Sequence, residues 1–490
     1  MKLRIEFKLT SLICYLALAS TSLAKDDLDS KLYDTFSTNV DALVASYVEH
    51  HVFDGSVLVA KNGQVVFSKG FGFASKEWSV SNTADSKYGI GSITKSITAI
   101  LTMQLVEQQK TSLQDTIDKY LPNLPKARAS HITIHHLLNH TSGLPNYFAI
   151  PGWTNGKFNK SINRQQFSKV LNNIELQSKP GERYQYSNIG YFFLGQIIEK
   201  VTAKDYHTVL KENILTPLGM NNTGLHYSET VLKNEATGYQ LAQSGGYRKT
   251  VINRNLFRGS GDIYSTVGDL FLLEQALYTE KLLSKKSKSI MFEKENSYGW
   301  NIEPIDIGTL SKRTINYSGQ VLGFNSMMTR FIDDQHSIIL LGNIGTSHYH
   351  RALLTEKIGQ LLYAEKQTIP SKLPLSFMLN KALVDSNIDK QLDDFRQDKT
   401  NYQVDEQGIA ALAQQIGWAG MSELSTRLFE FNTRLFPNSV ASLANLAAIY
   451  QRNGRTKDAI NYYSKANQLA PENSTIKQQL STLTQSLKPD

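Results

Sequence analysis

Cysteine is nearly absent from this 490-residue chain, and the single example, Cys14, lies in an N-terminal leader. Once that leader is removed, the protein would contain no thiol and no disulfide. This excludes a cysteine nucleophile, a thiolate metal site and a disulfide framework. A chain without thiols also suits an oxidising compartment such as the periplasm.

Long basic runs and long apolar runs are missing as well. The net charge of +8 is spread along the chain and never concentrated in a block of Lys and Arg, so nucleic-acid binding has little support. Beyond the leader, no apolar stretch approaches the roughly 20 residues that a membrane span needs, so no span is expected in the mature chain. Apolar residues still make up 41% of the sequence, which is enough for a sizeable core.

Residues 1–24 are predicted to be a signal peptide. Three basic residues near the start precede a largely apolar stretch, 9–19, and small residues occupy positions 22 and 24. This pattern predicts cleavage after Ala24 and a periplasmic or secreted protein. A membrane anchor is the alternative, but the apolar stretch is short for one.

Strand patterns stand on either side of a mostly helical middle, which indicates one α+β domain over residues 25–365. Asn62-Gly63, the preferred dipeptide of a tight hairpin turn, separates the first two strands. Apolar periodicity predicts a helix from about Ser92 to Gln109. Early and late strands are expected to share one sheet. The predicted strands cover residues 56–60, 64–68, 313–318, 324–331 and 337–341.

After this domain the periodicity weakens, and residues 366–400 are interpreted as a linker or packing segment. Pro437 and Pro471 then stand 34 residues apart, which is the tetratricopeptide period. Large and small apolar residues between them follow the pattern of a tetratricopeptide helix pair. Residues 401–490 are therefore predicted to form all-α tetratricopeptide-like repeats, with an ordinary helical hairpin as the alternative.

The chemistry begins with Ser-x-x-Lys, a motif that is weak alone and occurs at Ser22–Lys25, Ser92–Lys95 and Ser474–Lys477. Only Ser92 opens a predicted amphipathic helix directly after a glycine, so it would lie at the positive end of the helix dipole. Lys95 falls on the same helix face, within reach of that serine. A lysine kept partly neutral by burial can serve as the base that a serine nucleophile needs.

Two further elements can complete such a site. Tyr186-Ser187-Asn188 is the only Tyr-x-Asn in the chain and lies at a predicted loop-to-helix junction. There Tyr186 can relay a proton, although a half-buried core tyrosine is the simpler interpretation of this residue alone. Tyr317-Ser318-Gly319-Gln320 lies on a late strand, whose edge can offer a backbone N–H to an oxyanion hole shared with the N–H of Ser92.

Taken together, these elements resemble the class C β-lactamase and penicillin-binding-protein-like family of serine hydrolases. The resemblance covers residues 32–364 and includes three further segments in the family's order. These segments are His140-Thr141-Ser142-Gly143-Leu144-Pro145, Pro217-Leu218-Gly219-Met220 and the stretch 259–266. The resemblance implies an antiparallel sheet flanked by helices, with a helical insertion and a cleft between them.

The resemblance also implies roles for individual residues, and it implies no metal and no cofactor. Ser92 would be the nucleophile, Lys95 its base partner and Tyr186 the proton relay. Asn188 would be an amide that contacts substrate and lysine, and Tyr317, Ser318 and Gly319 would form the substrate-binding third motif. The backbone N–H groups of Ser92 and Gln320 would form the oxyanion hole.

Two features complicate this interpretation. The family's third motif usually opens with Lys or His, whereas here it opens with Tyr317, which affects the expected substrate specificity more than the expected mechanism. Four histidines are also spaced like metal ligands on a helix, namely His131, His135, His136 and His140. The resemblance assigns that segment to scaffold beside the cleft.

The sequence therefore predicts an exported serine hydrolase that forms an acyl-enzyme on Ser92 and acts on a small ester, amide or peptide. An esterase, a D-amino-acid peptidase and a weak β-lactamase all fit. The alternative is a catalytically weak penicillin-binding or scaffold protein that acts through its repeat region. In either case, a protein partner is expected for the repeats and nucleic acid is not.

Overall fold

The computed structural model describes residues 35–147, 150, 164–226, 231–250, 254–363, 372–397, 400 and 402–486. The predicted signal peptide, with Cys14 and the cleavage site after Ala24, lies outside these residues. Within them, no helix combines the length and the apolar character needed to cross a membrane.

A six-stranded antiparallel sheet joins the two ends of the hydrolase-like region. The first strand of the chain, Gly55–Lys61, pairs on one side with its hairpin partner and on the other with His336–Gly342. The predicted α+β architecture, with early and late strands in one sheet, is confirmed. In spatial order the strands are Asn301–Ile307, Leu310–Val321, Phe324–Phe331, His336–Gly342, Gly55–Lys61 and Gln64–Phe71.

The hairpin turn between the first two strands follows from its sequence. Asn62 and Gly63 have φ values of 51° and 73°, the positive values that a type I′ turn requires. Asparagine and glycine are the residues that adopt this conformation at least cost.

The sheet is buried on both faces because side chains alternate between two apolar clusters. Leu58 and Ile339 face the cluster that contains the helix Ile93–Glu107. Their neighbours Val57 and Ile338 face the opposite cluster, which contains the C-terminal part of the domain. This alternation is the period of two that a strand imposes.

The remaining elements are mostly helices. Short strands form three small sheets from Phe73–Ser75, Val80–Ser81, Tyr88–Gly89, Gly224–Leu225, Tyr239–Leu241, Tyr247–Lys249 and Ile263–Ser265. Helical segments before the repeat region cover 35–49, Ile93–Glu107, Ile117–Lys119, Lys126–Ala129, Ile134–Leu138, Arg164–Leu171, Asn188–Thr202, Tyr206–Leu210, Lys211–Leu215, Thr216–Leu218, Arg254–Phe257, Val267–Ala276, Lys285–Met291 and His348–Tyr363.

The segment interpreted as a linker contains two helices, Leu375–Val384 and Ile388–Gln397, and the first of them is packed into the protein. Phe377 is fully buried in the apolar cluster that also contains Val57 and Ile338 of the sheet. Asn380 donates hydrogen bonds to the backbone carbonyls of His50 and His51. The sequence left a linker or a packing segment open here, and these contacts show that Leu375–Val384 is a packed helix.

The C-terminal region is helical, and its helices recur at a constant interval. Helices begin at positions 406, 440 and 474, and the intervening ones begin at 422 and 456, so each set is spaced by 34 residues. Their bounds are Glu406–Trp418, Ser422–Leu435, Val440–Arg452, Thr456–Leu469 and Ser474–Ser486.

Candidate active site

Ser92 stands at the N-terminus of the buried helix Ile93–Glu107, directly after a glycine in a left-handed conformation. Gly91 has a φ of 52°, and a Cβ atom at this position would lie 2.7 Å from the backbone nitrogen of Gln320. Only glycine accommodates both the conformation and the close approach. The Ser92 side chain makes no capping hydrogen bond to the backbone of this helix, so its hydroxyl is available to other side chains.

Lys95 is the first of two groups that contact the Ser92 hydroxyl. Its Nζ lies 3.0 Å from Ser92 Oγ and 2.6 Å from the carbonyl oxygen of Ser260. The side chain has no exposure to solvent, and this burial holds the pKa of Lys95 well below its usual value. A lysine in this position has an accessible neutral form, which can accept a proton.

Tyr186 is the second group. Its Oη lies 2.7 Å from Ser92 Oγ, and its ring lies beneath the Lys95 ammonium, with 5.0 Å between Nζ and the ring centroid. Burial raises the pKa of Tyr186, so the phenol remains protonated at neutral pH. Ser187 follows as the N-cap of the helix Asn188–Thr202 and anchors the tyrosine at the junction that the sequence predicted.

The strand Leu310–Val321 passes directly beside the serine. A Cβ atom at Gly319 would lie 2.9 Å from the backbone nitrogen of Ser92 and 1.9 Å from the carbonyl oxygen of Ile90. Ser326, the cross-strand partner of Gly319, donates to that same carbonyl oxygen at 2.7 Å. The backbone nitrogens of Ser92 and Gln320 are therefore held on facing segments, as an oxyanion hole requires.

The remaining residues of this strand divide between the two faces of the sheet. Tyr317 is 6% exposed, shares the face of Gly319, and interacts electrostatically with the neighbouring Tyr186. Ser318 pairs with Met327, which belongs to the opposite apolar cluster. The Ser318 side chain therefore faces away from Ser92, and only its backbone is placed to contact a substrate.

Asn188 is half-buried two residues after Tyr186, and its amide donates to Asn146 Oδ1 at 2.8 Å. Within the described residues, the hydrogen bonds of Lys95 Nζ go to Ser92 and Ser260, so the predicted contact between Asn188 and the lysine is not among them. The second hydrogen bond of Lys95 Nζ goes to the carbonyl oxygen of Ser260.

Sequence reasoning missed the role of the Ser260 loop, although the segment 259–266 carries part of the resemblance. Asp262 fixes this loop from inside the protein, because its carboxylate accepts from the Gly259 N–H at 3.1 Å and from Arg258 Nε at 2.7 Å. Gly259 has a φ of 71°, another left-handed position. In the sequence, Gly259 between the oppositely charged Arg258 and Asp262 is the signal that indicates a loop of defined conformation.

The clustered histidines make structural contacts. His135 makes a hydrogen bond with Tyr298, and His136 closes a capping box with Thr133 at the start of the helix Ile134–Leu138. His140 packs against Tyr186, with 4.6 Å between the ring centroids. Over the part of the chain that the structure describes, no group of three or more His, Cys, Asp or Glu side chains is arranged to hold a metal ion.

The chain is similar in sequence to several known proteins. A family model described as Beta-lactamase matches residues 40–362. Penicillin-binding protein 4* of Bacillus subtilis (strain 168) is 28% identical over 359 residues, covering 68% of this chain and 78% of that protein.

Two solved structures are also similar. The octameric penicillin-binding protein homologue from Pyrococcus abyssi is 29% identical with a TM-score of 0.57, covering 63% of this chain and 73% of that one. The D-amino acid amidase from Ochrobactrum anthropi SV3, complexed with L-phenylalanine amide, is 25% identical with a TM-score of 0.58, covering 67% and 97% respectively.

Proposed function

The chain belongs to the beta-lactamase family of serine hydrolases, and from that membership we propose that it is an exported hydrolase that forms an acyl-enzyme on Ser92. The observation that carries the proposal is the double hydrogen bond of Ser92 Oγ, to Lys95 Nζ and to Tyr186 Oη. A serine hydroxyl becomes a nucleophile when an adjacent base can take its proton.

Acylation follows from these contacts. Neutral Lys95 takes the Ser92 proton as Oγ forms a bond to the substrate carbonyl carbon, and the negative charge moves to the carbonyl oxygen. The backbone N–H groups of Ser92 and Gln320 stabilise that oxygen. As the tetrahedral intermediate collapses, Tyr186 donates its proton to the leaving group and recovers one from the Lys95 ammonium.

Deacylation runs through the same groups in the reverse sense. A water molecule attacks the acyl carbonyl carbon while Tyr186 and Lys95 together remove its proton. The bond from the carbonyl carbon to Ser92 Oγ then breaks, and the proton returns to the serine. Each turnover consumes one water and releases a carboxylic acid together with an alcohol or an amine.

The substrate class is proposed from the position of Tyr317. Burial raises the pKa of Tyr317, so this residue is uncharged where relatives usually carry Lys or His. An uncharged hydroxyl makes weaker hydrogen bonds to a carboxylate than a cation does. We therefore favour esters and amides without a carboxylate at that position, and similarity to a D-amino acid amidase supports the amide class.

Chemical labelling tests the nucleophile. A fluorophosphonate should modify Ser92, as located by peptide mass mapping, and the label should disappear in Ser92→Ala. Ser474→Ala is the matched control, because Ser474 opens another Ser-x-x-Lys in the C-terminal helices. Labelling that persists in Ser92→Ala and disappears in Ser474→Ala would refute the assignment.

Export and a partner-binding role for the C-terminal helices complete the proposal. The predicted signal peptide supports export, and N-terminal sequencing of the secreted protein should begin at Lys25. The 34-residue recurrence of helix starts supports tetratricopeptide-like repeats. A protein captured by wild type but not by a chain with a disrupted C-terminal region would identify the partner.

A second candidate function is a penicillin-binding protein with little turnover, favoured by similarity to Penicillin-binding protein 4*. Both functions involve an acylated Ser92, so they differ in the fate of the acyl-enzyme. A penicillin adduct that remains on Ser92 for hours, with no ester or amide turnover, would favour this candidate over the hydrolase.

A further inference from the structure

His140 contacts the segment that carries Tyr186 in three ways. Its backbone carbonyl accepts from the Gln185 N–H at 2.7 Å, and its Nδ1 accepts from the Ser187 N–H at 3.2 Å. Its imidazole ring lies against the Tyr186 ring, with 4.6 Å between centroids and 38° between planes. The residues on both sides of Tyr186, and its ring, are therefore all held by one histidine.

The backbone of His140 is itself in an unusual conformation. Its φ is 61°, in the left-handed region that non-glycine residues seldom adopt, and the side chain is only 4% exposed. Such a conformation costs energy and persists where surrounding contacts require it. The contacts of His140 with residues 185–187 are among those that surround this backbone conformation.

We propose that His140 is a positioning residue that holds the Tyr186 hydroxyl at hydrogen-bonding distance from Ser92 Oγ. The proposal rests on the proposed function, since it assigns work to a tyrosine that transfers a proton. The Ser187 N–H belongs to the peptide bond that follows Tyr186, so Nδ1 fixes the orientation of that peptide while the imidazole ring limits the movement of the phenol.

The protonation state of the imidazole is consistent with this role. Because Nδ1 accepts a hydrogen bond, a neutral ring carries its proton on Nε2. Burial, and then the nearby charge of Lys95, lower the pKa of His140 to about 3, so the ring is neutral at working pH. Protonation at Nδ1 would remove the acceptor for Ser187 and place a second cation near Lys95.

The packing around the imidazole keeps it in place. The Tyr191 ring lies 5.1 Å away between centroids, and its hydroxyl donates to the carbonyl oxygen of Leu138 at 2.7 Å. Tyr184, two residues before Tyr186, packs edge-on against the imidazole, with 5.7 Å between the ring centroids. Because these contacts immobilise the imidazole, it can restrict the movement of the Tyr186 ring that packs against it.

Three substitutions separate the contacts of His140. His140→Ala removes both the ring and the acceptor. His140→Asn keeps an acceptor near the position of Nδ1 and tolerates the left-handed backbone, but lacks the ring. His140→Phe keeps a ring but lacks the acceptor. Thermal melting of each variant identifies those that fold, and His140→Asn is the variant whose backbone preference best protects the fold.

The readout is the second-order rate at which a fluorophosphonate labels Ser92, measured in the full chain with and without Tyr186→Phe. We expect His140→Ala to slow labelling by about tenfold to a hundredfold, the scale of a catalytic group misplaced by about 1 Å. His140→Asn and His140→Phe should each recover part of the rate. In the Tyr186→Phe background, His140 substitutions should cause no further loss, because the hydroxyl that they position is already gone.

Two results would overturn the inference while leaving the proposed function intact. One is a wild-type labelling rate in His140→Ala and His140→Asn. The other is an equal loss in both backgrounds, which would mean that His140 supports the fold in general. If wild-type Ser92 is not labelled at all, the proposed function fails, and the role of His140 fails with it.

Discussion

Lys95 Nζ lies 3.0 Å from Ser92 Oγ in a fully buried position, where its other hydrogen-bond partner is the backbone carbonyl of Ser260. We therefore expect Lys95→Ala to lower kcat by about 10²–10⁴-fold with a much smaller change in KM, because general-base groups act in the transition state. Steady-state kinetics on an activated ester would measure this. Lys477→Ala, in the exposed C-terminal Ser-x-x-Lys, is the matched control and should retain full activity.

The same burial predicts how stability depends on pH. Since the pKa of Lys95 is lower in the folded chain than in the unfolded one, the unfolded chain binds more protons between the two values, and stability rises with pH across that window. Lys95→Met removes this dependence. Urea unfolding at neutral pH should therefore show the variant to be more stable than wild type, with a difference that shrinks as the pH approaches the ordinary lysine pKa of about 10.4. A difference that is constant with pH would contradict the assignment.

The close contact at Gly319 leads to a third prediction. A methyl group there would meet the Ile90 carbonyl and the Ser92 nitrogen, both of them backbone atoms, so the strand must move away from the serine. Gly319→Ala should therefore abolish most ester turnover, even at temperatures where the variant is folded by circular dichroism. Gly268→Ala is the control, since its Cβ would meet only one atom, at 3.9 Å, within a helix. That change should be neutral or slightly stabilising.

Much of this site was predictable from the sequence, and the remainder was not, for identifiable reasons. Ser92 and Lys95 are three residues apart on one helix, so their proximity follows from helix geometry alone. The contacts of Lys95 with Ser260 and of His140 with Ser187 join segments separated by 165 and 47 residues. No local pattern specifies such contacts, because they depend on how the helical insertion packs against the sheet.

The orientation of the Ser318 side chain follows from the sequence alone. Strand alternation places Ser318 on the face opposite to Tyr317 and Gly319, so its side chain faces away from Ser92. The packed helix Leu375–Val384 illustrates the reverse situation. Its buried face is recognisable only from the residues that cover it. One of these is Tyr47, which is far from this helix in the sequence.

Phe377 tests whether this helix is part of the hydrolase fold. Its ring is fully buried against Tyr47, at 4.6 Å between centroids, and against His350 at 5.4 Å. Phe377→Ala should lower the free energy of unfolding by about 3–5 kcal/mol, while activity per folded molecule is maintained. Trp78→Ala is the control, since Trp78 is 81% exposed and its loss should change stability by no more than about 0.5 kcal/mol. Equal effects of the two substitutions would mean that the helix is only loosely attached.

The last prediction concerns Tyr317, which stands where relatives usually carry a cation. Tyr317→Phe removes the hydroxyl that interacts electrostatically with Tyr186 but adds no charge, so ester turnover should fall by less than about tenfold, a loss no larger than that of one neutral hydrogen bond. Tyr317→Lys introduces an ammonium into a nearly closed position that interacts with Tyr186, whose ring lies against Lys95 Nζ. Two cations in one buried site disfavour each other's charged forms. The variant should therefore be less stable than wild type, and the apparent pKa obtained from the pH dependence of its activity should be lower.

That ammonium could also pair with a carboxylate, which the native tyrosine can bind only through a neutral hydrogen bond. The ratio of penicillin turnover to ester turnover should therefore rise in Tyr317→Lys and stay close to wild type in Tyr317→Phe, as measured by kcat/KM for both substrates. An unchanged ratio in Tyr317→Lys, or fast penicillin hydrolysis by the wild type, would show that Tyr317 does not set the charge preference of the site. A cation from another part of the cleft would then have to set this charge preference. The proposed preference for uncharged substrates would be refuted.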